Sequence, residues 1–175
     1  MSAKPRKMLF MPYDDGVAEL YSLAAECSKL CMVVWAYEYS EKYVELFEEY
    51  CDDDRVRRSR DASYLWSKGV IKMPEARREI LAAHMAAKES GNEVAEAAAR
   101  AVAHAASTVH SERHAFGLAL YGLTALAKKY GKDSKEVKEE EKRLFQGLMT
   151  VSAEKKYLSE RWARFLERGE EKAST

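Results

Sequence analysis

The chain has 175 residues, with 29 Lys+Arg against 29 Asp+Glu and a formal net charge of zero. That balance removes the bulk electrostatic pull toward nucleic acid or an anionic membrane, while leaving local patches open. Eight glycines and three prolines are too few for the many tight turns of an all-β fold. The expectation is an all-α, single-domain bundle of about eight helices, with stacked helical pairs as a variant.

Three cysteines, Cys27, Cys31 and Cys51, with no signal-length apolar run ahead of them, read as free thiols in a cytoplasmic protein. No stretch approaches the ~18 apolar residues of a membrane span.

Residues 1–16 read as irregular, with Pro5, Pro12 and the turn residues Asp14-Asp15-Gly16. Asp15 is the expected N-cap of the first helix. From 17 to 51, Leu20, Leu23, Ala24, Cys27, Leu30, Cys31 and Val34 recur at helical steps. One unbroken helix there would be about 50 Å long, so a break is placed between Ser28 and Met32. Glu38, Glu41, Glu45, Glu48 and Glu49 form an acidic outer side of this segment.

Asp53 or Asp54 can cap a helix over 55–68 that Gly69 ends. Met73-Pro74-Glu75 opens another, with Ile80, Leu81, His84 and Ala87 on one face. Asn92 caps the run 93–127, which is rich in alanine, the best helix former and one that lets helix axes approach closely. It reads as the central buried hairpin, broken at Ser111 into helices of about 93–109 and 112–130. Gly131 ends the second. Asp133 or Ser134 caps a helix at 135–149, and Ser152-Ala153-Glu154 opens a last one, striped by Leu158, Trp162, Phe165 and Leu166. The expected division is an irregular 1–16, a helical core 17–131 and a C-terminal helical pair 132–175. HMAAKE, HAASTV and HAFGLA each begin with histidine and continue with small residues, a short internal echo.

Few residues carry a chemical signal. His110 and His114 are four apart, and His104 lies about 80° from His114 at ~100° per residue, so a metal site completed by Glu112 or His84 is conceivable. The break at Ser111 spoils that geometry and no HExxH is present. The expectation is therefore no metal and no cofactor, with the histidines hydrogen-bonded between packed helices. Arg77, Glu75, Asp53 and Tyr121 are their candidate partners. Asp52-Asp53-Asp54-Arg55 reads as a cap with an Asp–Arg pair, and Cys27 and Cys31 as small buried hydrophobes. Neither GxSxG, a P-loop nor CxxC occurs. Most of Trp35, Tyr37, Tyr39, Tyr43 and Tyr50 are assigned to the core, and any left exposed beside the acids would suit a protein partner.

The run W-A-x-x-x-S-E-x-x-V-x-L-F-E-E from Trp35 to Glu49, D-D-x-R at Asp52–Arg55, W-x-x-G at Trp66–Gly69, E-A-R at Glu75–Arg77 and the long motif from Arg100 to Gly117 resemble a family of all-helical bacterial proteins. Its members are described as immunity proteins of polymorphic-toxin systems. The resemblance covers about residues 30–127 and departs where Cys51 and Val56 replace expected prolines. Some relatives carry an exonuclease label, but no nuclease motif occurs here. It implies a non-catalytic protein that binds a cognate protein toxin, with no nucleic-acid or membrane partner. Asp53, Arg55, Trp66, Arg77, His84, His104, His110 and His114 are then the motif positions available for ligand or partner contact. Glu41, Glu45, Glu48 and Glu49 form an acidic surface that could cover a basic active site. The alternatives are a metal- or small-ligand-dependent helical enzyme using the histidines, or a helical scaffold without a toxin.

Overall fold

The computed structural model describes residues 8–154, 158 and 160–167. Among these are seven α-helices: α1 Ala18–Glu26, α2 Lys29–Glu48, α3 Arg55–Ser67, α4 Met73–Glu89, α5 Glu93–Ala106, α6 Ala115–Tyr130 and α7 Lys135–Ala153. Short 3-10 turns lie at Ser107–Val109, Glu112–His114 and Arg164–Leu166, and no strand occurs among the described residues. The all-α expectation holds, with seven α-helices rather than about eight.

Local chemistry sets most boundaries. The break in the first long segment falls at Cys27-Ser28, where the Ser28 hydroxyl accepts the Cys31 N–H and starts α2. Asp15 does not cap α1. Val17 occupies that position, and the Asp14 carboxylate instead accepts the Met11 N–H at 3.1 Å, tightening the preceding turn. At the end of α3, Gly69 takes φ +75°, its N–H reaches Trp66 O and the Val70 N–H reaches Leu65 O. This is the paired closure that a left-handed glycine permits. Asn92 accepts the N–H groups of Val94 and Ala95, and Ser134 that of Val137. Ser152 and Ala153 belong to α7, which runs through Ala153, and Glu154 follows as its C-terminal turn. Beyond it, residues 158, 160 and 161 are helical, with the Leu158 N–H on Glu154 O and the Trp162 N–H on Leu158 O, before the Arg164–Leu166 turn; residues 155–157, 159 and 168 lie outside the described residues.

Alanine places α5 at the centre. Nine of its residues are buried, from Ala95 to Ala106, and it packs against α2, α3, α4 and α6. The α5–α6 pairing is the hairpin expected for 93–127. The second long helix, α2, crosses α5, α6 and α7 with Trp35, Tyr43 and Phe47 fully enclosed. The Trp35 indole N–H donates to Leu144 O at 3.1 Å, tying α2 to α7. Two glycines admit tyrosines of α2: a Cβ on Gly122 would stand 2.7 Å from Tyr43 Cε1, and one on Gly147 would land on the Tyr39 ring. Leu158, Trp162 and Leu166 are buried in the same core, where the Ala163 N–H reaches Ser67 O at 2.9 Å.

One face expectation fails. Ile80 and Ala87 of α4 are buried, but Leu81 is 53% exposed. At ~100° per residue, Leu81 falls well outside the sector of Ala76, Ile80, Ala83 and Ala87 that meets the core.

Candidate functional site

Three of the four histidines converge. His84 on α4 and His104 on α5 have ring centroids 5.6 Å apart, and His104 and His114 are 5.9 Å apart. Tyr121 of α6 stacks on His104 at 5.0 Å with an interplanar angle of 21°. These three histidines are the ones that begin the echoed HMAAKE, HAASTV and HAFGLA pieces, which the fold brings side by side. Gly117 makes the cluster possible, since a Cβ there would stand 2.6 Å from His104 Cγ. His110 is not in ring contact with the others. The Ser107–Val109 turn ends the helix just before His110 and the Glu112–His114 turn follows it, so no continuous helix joins His110 to His114 and the one-face relation that a metal pair would need is lost.

The expected hydrogen bonds are absent. Among the described residues, no histidine ring bonds to another protein group. His110 and His114 are exposed, and only His84 and His104 are partly enclosed. Of the four candidate partners, Tyr121 stacks without bonding, Glu75 caps the Lys72 N–H and Asp53 is taken by Arg55. Arg77 is exposed, and its charge acts on His110.

The electrostatics of this cluster are basic. Burial first, then His84, His114 and Arg100, push His104 down to about 4. Burial, then Arg100, Lys88 and His114, lowers His84. Burial, then Arg77 and His114, lowers His110. Among the described residues, the one acid bonded to this set is Glu96, which pairs with Arg100 at 2.7 Å. Among the described residues no group of three or more His, Cys, Asp or Glu side chains is arranged to hold a metal ion.

The acidic side of α2 is exposed but largely compensated. Arg57 bonds Glu41 at 2.9 Å and Glu48 at 2.7 Å, Arg60 bonds Glu41 at 2.8 Å, and Lys129 pairs with Glu49. The Arg57 hydrogen bond holds Glu48 below its ordinary value. Glu45 alone of the four expected surface acids makes no ion pair among the described residues.

Asp53 and Arg55 form the expected pair. Asp53 Oδ1 accepts the Arg55 backbone N–H at 3.0 Å, and Oδ2 accepts the guanidinium at 2.6 Å. Arg55 reaches on to Glu89 at 2.6 Å, clamping the start of α3 to the end of α4. Trp66 is buried against Phe165 in an edge contact. These three motif residues make contacts within the fold rather than with the histidine cluster.

Sequence reasoning missed Glu140. It sits in the run KEVKEEEKR, which looks solvated throughout, yet it is 1% exposed and receives Tyr43, Lys42 and Arg143. A tyrosine and a lysine adjacent on α2 were the only signal, and nothing in the sequence says that they meet α7.

A family model described as Imm-5 like putative immunity protein matches residues 22–150, most of the chain. The chain belongs to that family. No curated protein and no solved structure matches it. The Imm-5 like match runs past Ala127, where the resemblance read from the sequence ended, and takes in most of α7. The Tyr43–Glu140 contact therefore lies inside the immunity-family region.

Proposed function

We propose that this chain is an immunity protein that binds a cognate toxin and blocks it stoichiometrically, without catalysis of its own. The observation that carries this reading is the Imm-5 like match over residues 22–150. Two further features support it. The motif residues divide into a structural set, Asp53, Arg55 and Trp66, and a second set of Arg77, His84, His104, His110 and His114, of which Arg77, His110 and His114 are exposed. A rigid alanine-packed core beneath these residues suits recognition, because pre-organisation lowers the ordering cost of association.

The acidic face of α2 is the weaker of the two expected contact surfaces. Glu41, Glu48 and Glu49 are compensated by Arg57, Arg60 and Lys129, which removes most of the field that would steer a basic active site toward it. No helix among the described residues is long and apolar enough to cross a membrane.

The test is protection. Cells expressing the toxin encoded beside this gene should survive when this chain is co-expressed, and the two purified proteins should form a 1:1 complex. Lack of protection together with lack of binding overturns the reading. Metal that persists after dialysis with a metal-dependent activity would replace it with the enzyme reading. A homo-oligomer indifferent to the toxin would replace it with the scaffold reading.

A further inference from the structure

On the α4 helix, Val70 just ahead of it and Met73, Leu81 and Met85 along it are 67%, 45%, 53% and 54% exposed. At ~100° per residue, Met73, Arg77, Leu81, His84, Met85 and Lys88 fall within one sector of about 120°. Large apolar side chains scattered singly over a surface need no explanation, but a contiguous set on one helix face marks an interaction site.

The charges on this face have one sign. The three acids of α4 are directed elsewhere: Glu75 to the Lys72 N–H, Glu79 to Arg58 and Arg78, and Glu89 to Arg55. Arg77 and Lys88 make no ion pair among the described residues. Beside His84, the adjoining cluster adds His104 and His114, with Arg100 close to His104.

We infer that the outward face of α4, together with the adjoining histidine cluster, is the toxin-contact surface, and that the toxin meets it with an apolar centre ringed by carboxylates. This rests on the immunity reading above. Methionine and leucine supply adaptable apolar anchors, and the two uncompensated cations select an acidic rim. A second copy of this chain is a poor occupant, since the same face would set cation against cation. A nucleic acid would leave the three apolar side chains unused.

The experiment titrates the purified, catalytically inactivated toxin encoded beside this gene into wild type, Leu81→Asp/Met85→Asp and Arg77→Glu/Lys88→Glu. These sites are exposed, so the variants should melt within a few degrees of wild type, which calorimetry checks. The apolar pair should weaken binding by at least ~30-fold, mostly through faster dissociation. The charge pair should slow association and invert its salt dependence, since salt then screens a repulsion instead of an attraction. Wild-type affinities for both variants, with binding by wild type intact, overturn this surface and leave the immunity reading standing. Salt-independent association of wild type overturns the acidic partner. No binding by wild type overturns the immunity reading, and this inference with it.

Discussion

Replacing Glu140 by glutamine tests whether the α2–α7 junction is held by charge or only by shape. The carboxylate receives Tyr43 Oη at 2.6 Å, Lys42 Nζ at 2.5 Å and Arg143 through Nε at 2.9 Å and Nη2 at 2.8 Å. Burial alone would raise the Glu140 carboxyl, but hydrogen bonds and charge from Arg143, then Lys42 and Tyr43, outweigh it and hold the group below its ordinary 4.5. Glutamine keeps the volume and loses the charge, and its NH₂ then faces donors. Breaking a fully buried pair costs ~3–5 kcal/mol. Here Lys42 and Arg143 are 42% and 37% exposed and fall back on water, whereas Tyr43 has no such recourse. The expected loss is about 2–3 kcal/mol at pH 7, or roughly 5–10 °C in Tm for a chain of this size. Urea denaturation at pH 7 with an unchanged m value measures it. The sign with pH comes from a depressed folded pKa. The contribution is complete above the unfolded value near 4.5 and disappears as pH falls through the folded one, so wild type and variant should converge in acid. A variant within about 0.5 kcal/mol of wild type at pH 7, or a gap that persists undiminished at about pH 3, refutes the reasoning.

Gly117→Ala should destabilise by about 1–2 kcal/mol despite the helix-propensity gain of alanine, because the new Cβ meets the His104 ring, and His104→Ala should restore the lost stability in a double-mutant thermal melt. His104, held down to about 4 by burial and its basic neighbours, favours the folded state above the unfolded value of 6.5 and loses that contribution as pH falls toward 4. His104→Asn should flatten the acid limb over that interval, and an NMR titration should place the ring near 4. Ala98→Leu, Ala105→Leu and Ala119→Leu should each cost about 1–3 kcal/mol by overpacking sites that are 0%, 3% and 0% exposed, and a wild-type melt in any of them would remove that residue from the close helix contacts.

What could be read in the sequence was what local chemistry decides. Asn92, Ser134, Gly69 and Gly131 bound helices because a side-chain acceptor or a left-handed glycine acts within a few residues of itself. The alanine run named its own central place. Leu81 misled because a leucine near a buried stripe resembles core, and only the position of α4 at the edge of the bundle turns it outward. Glu140 misled in the opposite sense, since its partners lie on α2, nearly a hundred positions away. The histidine cluster was half legible. The echoed histidine-plus-small pieces hinted at kinship, but their meeting depends on α4, α5 and the Glu112–His114 turn packing together.

The tyrosines of α2 seated on Gly122 and Gly147 have a consequence for how the chain finds its final form. A helix studded with similar apolar residues can in principle dock one turn too high or too low, a slip of ~5.4 Å, with little change in buried area. Here such a slip carries Tyr43 and Tyr39 off their two gaps and onto side chains, on two different neighbouring helices at once. The misaligned pairing is therefore blocked by collision rather than merely disfavoured by lost contacts. Filling either gap with alanine should do more than weaken the native state: it should make the wrong alignment competitive, and structural heterogeneity would appear alongside any drop in melting temperature.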